Sequence, residues 1–223
     1  MLLAEDLLLL LTDDATGKLV IPSAQADVAL GGANLVELTL MARVGIDDRK
    51  RIVVPDLSPT GDQILDAALA LVSDRQGKKP KSVVGPLGKH LRAALYDRLV
   101  GEGILRAEAG KMLGVIPVHR WPAERAEHEA SVRLQVTQVL VQRTTPEPRT
   151  AALISLLHAV KSEHRVVSPQ EHGLSKRELA ARAKQVAEGD WASAAVRQAI
   201  DDMMAAVLAA STAATSGAVA GST

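Results

Sequence analysis

The sequence predicts a mainly α-helical protein with one central helix, several amphipathic helices and a β-hairpin. Three observations carry this. Phe and Cys are absent, Tyr occurs once and Trp twice, so the core must be built from Leu, Val, Ile, Ala and Met. That set suits helices better than a β-sandwich. Residues 29–40, ALGGANLVELTL, are apolar on nearly every side, which places their helix at the centre. Elsewhere apolar residues recur three and four apart, the spacing of one helix face.

Residues 2–11 read as a short helix with Glu5 and Asp6 in its first turns, where acids suit the helix dipole. Pro22 and Ser23 start the long helix, over about 23–44, and Gly31, Gly32 and Ala33 leave room for another helix to come close. Gly45 to Val54 reads as a hairpin-like connection with Asp47 and Asp48 at its tip. Asp62 leads into an amphipathic helix over 62–73, and Gly77 to Lys81 is a basic loop. Leu87, Leu91, Leu95 and Leu99 fall four apart and predict one helical stripe, with Lys89, Arg92 and Tyr96 together beside it. Gly101 and Gly103 end that helix.

Two apolar runs come next, 103–107 and 112–118, separated by Glu108 to Lys111, which predicts a β-hairpin. Pro117 makes its second strand an edge or ends it. Residues 123–143 are helical with Val132, Val136, Val139 and Leu140 inward, and 149–160 form a buried helix. Ser175 and Glu178 have capping-box spacing and start a helix to about 187. Asp190 caps a last helix, 191–210, so a domain over 1–210 is succeeded by a disordered Ala/Ser/Thr/Gly tail, 211–223.

Lys plus Arg, 26 residues, equals Asp plus Glu, 26, so the chain lacks the basic excess of a dedicated nucleic-acid binder. With no Cys there is no disulfide or thiolate metal site, and no run reaches the length of a spanning helix. The N-terminus lacks the basic leader of a secretory signal, so the expectation is a cytoplasmic protein, peripheral at the inner membrane surface. The six His have no metal-ligand spacing, and no catalytic set or cofactor motif is present, so neither a cofactor nor a metal is expected. Glu5–Asp6 and similar acidic pairs read as solvated faces, His158 as a core residue, and Trp121 and Trp191 as packing residues.

Lys89 and Arg92 are the candidate binding residues, two cations one turn apart that can straddle a phosphate. A helix with a hairpin after it also fits a winged-helix nucleic-acid binder, which is the alternative reading. The order and spacing of residues 30–40, 58–69, 99–105 and 149–159 are similar to the Golgi phosphoprotein 3 (GPP34) family, over about 2–208. The resemblance implies a central helical bundle ringed by amphipathic helices with a projecting β-hairpin. It also implies a non-enzymatic adaptor that binds phosphatidylinositol 4-phosphate and a protein client, and a hairpin that self-associates, here through Leu105, Met112, Leu113, Val115 and Ile116. The family's headgroup pocket uses a Trp, an Arg on the central helix and two Arg one turn apart. The paired Arg fall on Lys89 and Arg92, the central-helix Arg on Gly31 and the Trp near Pro22. The pocket is therefore expected to be lined by Pro22 and Gly31 where two family residues are lost. The Ala-rich composition resembles that of a bacterial protein.

Overall fold

The computed structural model describes residues 1–112, 116–189 and 194–220. Its first helix, α1 (Leu3–Leu10), is buried on every side. It lies against α2 (Ser23–Leu40), whose middle from Ala29 to Thr39 is also buried throughout. Elements buried on all sides have to sit inside other helices, as α1 and the middle of α2 do. Between them Leu19 bridges Thr12 and returns the chain. A two-stranded sheet, β1 (Gly45–Ile46) with β2 (Ile52–Val53), then precedes α3 (Gln63–Ser73). Asp62 caps α3 by accepting from the N–H groups of Ile64 and Leu65.

The Leu87–Leu99 stripe is buried as predicted, but it does not lie on one helix. It is shared by α4 (Lys81–Gly88) and α5 (Leu91–Gly101). Pro86 and Gly88 weaken the end of α4, and His90 takes a left-handed conformation, φ 64°, that turns the chain between the two helices. Lys89 therefore stands at the junction and Arg92 in the first turn of α5. Tyr96 is not beside them on the surface. It is buried, stacks on Trp121 with ring centroids 4.0 Å apart, and shares a 3.0 Å hydrogen bond with Thr12. Gly103, φ 67°, is the residue that turns the chain out of α5.

The hairpin is present but shifted along the sequence. Its strands are β3 (Glu108–Met112) and β4 (Ile116–Arg120), so residues 108–111, expected as the turn, form the first strand. Pro117 is tolerated opposite Lys111 because the sheet has two strands and both are edges. The segment 103–107, expected as a strand, is instead tied to the body. Leu105 is buried in the core and bridges Ala123.

Helices α6 (Glu127–Gln142) and α7 (Pro148–Ala159) come after the hairpin, with the four predicted residues of α6 and nearly all of α7 buried. A single turn, α8 (Glu163–Val166), and a 3-10 turn (Pro169–His172) lead to α9 (Lys176–Ala187), which starts on the predicted capping box of Ser175 and Glu178. Asp190 and Trp191 lie outside the described residues. The last helix, α10 (Ala194–Ala220), runs through the segment expected as a disordered tail. Alanine favours helix, and Ser211 is buried where it accepts a 3.0 Å hydrogen bond from Gln25.

The Glu5–Asp6 pair is not a solvated face. Both carboxylates are nearly buried, and Arg149 at the start of α7 reaches Asp6 on α1. Its guanidinium donates to Asp6 Oδ2 at 3.0 Å, to Glu37 Oε1 at 2.6 Å and to the Met1 carbonyl at 2.7 Å. Glu37 also accepts from the Leu3 N–H, and His128 Nε2 lies 2.7 Å from Asp6 Oδ1. Burial pushes the Glu5 carboxyl up, while the Leu2 N–H and Arg98 pull it back. One arginine thus joins α1, α2 and α7.

Substitutions at the charge network and at the glycine contacts test this packing. Arg149→Met leaves the buried Asp6 and Glu37 short of their cation. Urea unfolding should show a loss of about 3 kcal/mol, the low end for breaking a buried pair because water reaches one side of the guanidinium. The glycines of α2 and α4 should behave oppositely to each other. A Cβ at Gly31 would overlap the Val84 carbonyl, whereas one at Gly85 meets nothing within 4 Å. Gly31→Ala should cost about 1–3 kcal/mol through overpacking. Gly85→Ala should stabilise by up to about 1 kcal/mol through helix propensity, and equal melting temperatures for the two variants would contradict the packing described.

Candidate functional site

The site is set by the crossing of α2 and α4. A Cβ at Gly88 would overlap the Asp27 carbonyl, just as one at Gly31 would overlap Val84, so the two backbones touch. That contact brings the partly exposed first turns of α2 against the end of α4 and the beginning of α5. Asp27, one turn before Gly31, accepts a 2.7 Å hydrogen bond from Arg92 Nε. Both side chains are about one-third exposed, 29% for Arg92 and 35% for Asp27. Arg92 is held by one edge of its guanidinium.

Lys89 is exposed and belongs to none of the ion pairs among the described residues. Lys81, Gly85 and Lys89 stand at four-residue intervals along the exposed side of α4. Gly85 leaves that side open between the two lysines. A groove of about 720 Å³ lies there, lined by Asp27, Arg75, Gly85, Pro86 and Lys89 among others. Arg75, at the end of α3, donates to the Leu71 carbonyl at 3.3 Å. Arg75 and Lys89 line this groove with Asp27, and Arg92 adjoins it through its bond to Asp27, so three cations stand against one carboxylate for a formal +2. On its other side Lys89 borders a second cleft of about 560 Å³ between α3, α4 and α5.

The frame behind the groove is fixed by Arg98. Its guanidinium grips Asp62 with two bonds, 2.6 and 3.1 Å, and touches Glu5 at 3.4 Å. Burial alone would raise the Asp62 carboxyl, but Arg98 and the capping N–H groups outweigh it and hold the group below the usual carboxylate range. The cap of α3 and the body of α5 are thereby one unit, and Arg92 is carried on it.

The predicted site residues are not all brought together. Lys89 and Arg92 are close along the chain, but across a helix break and not along one helix face. Gly31 is buried in the helix crossing and has no room to line a pocket. Pro22 caps the start of α2 and lines a different cleft, of about 550 Å³, with Lys161, His164 and Arg165. Leu105 belongs to the core and not to the hairpin surface. Leu113 and Val115 lie outside the described residues. Met112 and Ile116 are paired in the hairpin backbone, Met112 opposite Ile116. Sequence reasoning missed Arg75 and Asp27. Arg75 could have been found from its place at the end of an amphipathic helix beside a basic loop. Nothing local marks Asp27 as the partner of a residue 65 positions away.

The Golgi phosphoprotein 3 (GPP34) family matches residues 3–203 of the chain. The chain is also 28% identical over 211 residues to a vacuolar protein sorting-associated protein 74 from Eremothecium gossypii. That alignment covers 76% of this chain and spans 62% of the relative's length. No helix among the described residues is long and apolar enough to cross a membrane.

Asp27 is the one carboxylate among the described groove residues, so it would oppose an anion brought to them. Asp27→Asn removes the one opposing charge, and a charge near an anionic surface is worth about 1 kcal/mol. Affinity for phosphatidylglycerol vesicles should rise about five-fold, while folding stability moves by less than about 1 kcal/mol because the pair is partly exposed. Vesicle co-sedimentation measures the first and thermal melting the second. A fall in vesicle binding would show that Asp27 serves to position Arg92 instead.

Proposed function

The chain belongs to the Golgi phosphoprotein 3 (GPP34) family, and from that premise we propose that it is a non-enzymatic, peripheral membrane adaptor. It binds an anionic lipid headgroup, by resemblance phosphatidylinositol 4-phosphate, at the groove of Lys89 and Arg92. The observation that carries this reading is the surplus of cations on an open groove. Lys89 belongs to none of the described ion pairs, Arg92 keeps one edge of its guanidinium out of its bond to Asp27, and Arg75 stands on the same rim. An arginine fork beside a lysine point charge suits a phosphate.

The surface of α5 speaks against the winged-helix reading. Its exposed positions include Ala93, Ala94 and Asp97, and Arg98 is committed to Asp62. A recognition helix needs donors to phosphates and base edges in that place.

Charge alone gives little. Two or three cations at about 1 kcal/mol each fall short of the roughly 4 kcal/mol that a millimolar dissociation constant represents. The remainder comes from multiplicity. Among the described residues β3 and β4 pair only with each other, and an edge strand offers its unpaired backbone groups to a second copy. Self-association there multiplies weak headgroup contacts without any new contact to lipid, and a protein client is held at the membrane by the assembled adaptor.

Flotation with vesicles containing phosphatidylinositol 4-phosphate tests the reading. The Lys89→Glu, Arg92→Glu double variant should lose most binding and stay folded, with a stability loss of about 1 kcal/mol because the Arg92–Asp27 pair it breaks is partly exposed. Replacing residues 109–119 with a Gly-Ser turn should abolish both the oligomer and flotation. Discrimination between the 4-phosphate and equally charged isomers should be poor, since Gly31 and Pro22 stand where the family has Arg and Trp. Full flotation of the double variant, or a strong preference for one isomer, would contradict the proposal.

A further inference from the structure

The cleft at the start of α2 is chemically distinct from the Lys89 groove. Its apolar wall is Val20, Ile21, Pro22 and Leu208, and its rim carries Lys161, His164 and Arg165. None of its lining residues among the described ones is acidic. The carboxylate nearest in sequence, Glu163, is buried behind the rim, with Oε1 3.5 Å from His158 Nδ1. Neither Lys161 nor Arg165 belongs to an ion pair among the described residues, and both side chains are exposed.

The walls are fixed in advance. Gln25 Nε2 donates to the Val160 carbonyl at 2.9 Å and to Ser211 Oγ at 3.0 Å, so the start of α2, the end of α7 and the middle of α10 are joined at the cleft. Lys161 holds a left-handed backbone, φ 53°, directly after α7. A non-glycine residue keeps such a conformation at a cost, and here it sets Lys161 at the rim four residues from Arg165. The local field is positive. Burial first, then Lys176 and Arg165, hold the His164 imidazole below its ordinary value, against a smaller pull from Glu163. Cations gathered on a half-enclosed apolar wall raise the local concentration of anions, and a volume of about 550 Å³ is that of a small-molecule site.

We propose that this cleft binds a phosphate monoester carried on an apolar body. The phosphate sits between Lys161, His164 and Arg165, and the body lies against Val20, Ile21, Pro22 and Leu208. An arginine fork and a nearby lysine match two phosphate oxygens, and the apolar wall distinguishes an amphiphile from bare phosphate. The ligand is either a membrane lipid with a terminal phosphate or a soluble ester of the same chemistry.

The test uses the full chain with Lys89→Glu and Arg92→Glu already in place, so that the other groove is silent. Titration calorimetry with dihexanoyl phosphatidic acid should show saturable binding. Adding Lys161→Gln and Arg165→Gln should weaken it at least ten-fold with an unchanged circular dichroism spectrum and melting temperature, since both side chains are exposed. Flotation with long-chain phosphatidic acid vesicles, alongside calorimetric binding, assigns the ligand to the membrane. Calorimetric binding without flotation assigns it to the soluble ester. Both support the site. Absence of saturable binding, or equal affinity with and without the two glutamines, overturns it. Inorganic phosphate binding as tightly as the ester overturns the role of the apolar wall. Because the background removes Lys89 and Arg92, failure here leaves the adaptor reading standing, and failure of that reading leaves this one.

Discussion

Where helix α2 crosses α4, the two pack without side chains between them. At Gly31 and Gly88 the backbones of α2 and α4 touch, and at Gly32 the space a Cβ would take is filled by Val207 of α10. Such contacts leave no tolerance, because interiors are packed to crystal density and backbone atoms cannot be reshaped. The position of α4 along α2 is therefore set to within a fraction of an ångström. The chain beyond α4 inherits that placement: the His90 turn, the first turn of α5, and the reach of Arg92 to Asp27. The groove lies where it does because two glycines meet.

The second tie runs through charge. Arg149 holds Asp6 on α1 and Glu37 on α2 from the start of α7, and the Leu3 N–H closes on Glu37 as well. Burying carboxylates costs several kcal/mol each unless partners are supplied. Arg149, His128 and backbone donors supply them for Asp6 and Glu37. Without Glu5 and Asp6, α1 would be wholly apolar and could slide or rotate among other apolar helices with little penalty. The carboxylates remove that freedom, since a rotation of α1 would carry Asp6 away from its cation. Apolar packing gives the core its cohesion, and this network gives it a register.

The fold was legible where periodicity is long and end signals are chemical. The core face of α6, the burial of α7 and the Ser175 capping box are all consequences of spacing and cap residues. The failures share a cause, which is that local pattern says nothing about distant partners. The stripe from Leu87 to Leu99 has perfect helical spacing, yet the chain breaks within it, and the break preserves the burial of all four leucines on two helices. Glu5 and Asp6 looked solvated because their partners, Arg98 and Arg149, are far away in sequence. The segment after Ser211 carries no charge and no period, but a small-residue helix needs neither when it can dock against α2. For the candidate site, Lys89 and Arg92 were readable as cations near one another. Their relation to Asp27 and Arg75 was not, because it depends on the α2–α4 crossing.

That crossing also decides what kind of recognition the groove can perform. A side chain at position 31 cannot coexist with α4 in its present place, so the central helix can offer no cation from the interior. The cations come instead from the rim, on the end of α3, the α4–α5 junction and the first turn of α5. Rim charges are hydrated and screened beyond about 8 Å at physiological salt, and they read charge density more than shape. A buried arginine would instead impose a fixed geometry on each phosphate oxygen and separate one isomer from another. Close helix packing and a shape-selective pocket thus compete for the same residue, and a glycine there resolves the competition in favour of packing. For the headgroup function proposed above, rim charges alone suit weak contacts repeated over a surface of many like charges better than a single ligand gripped from all sides.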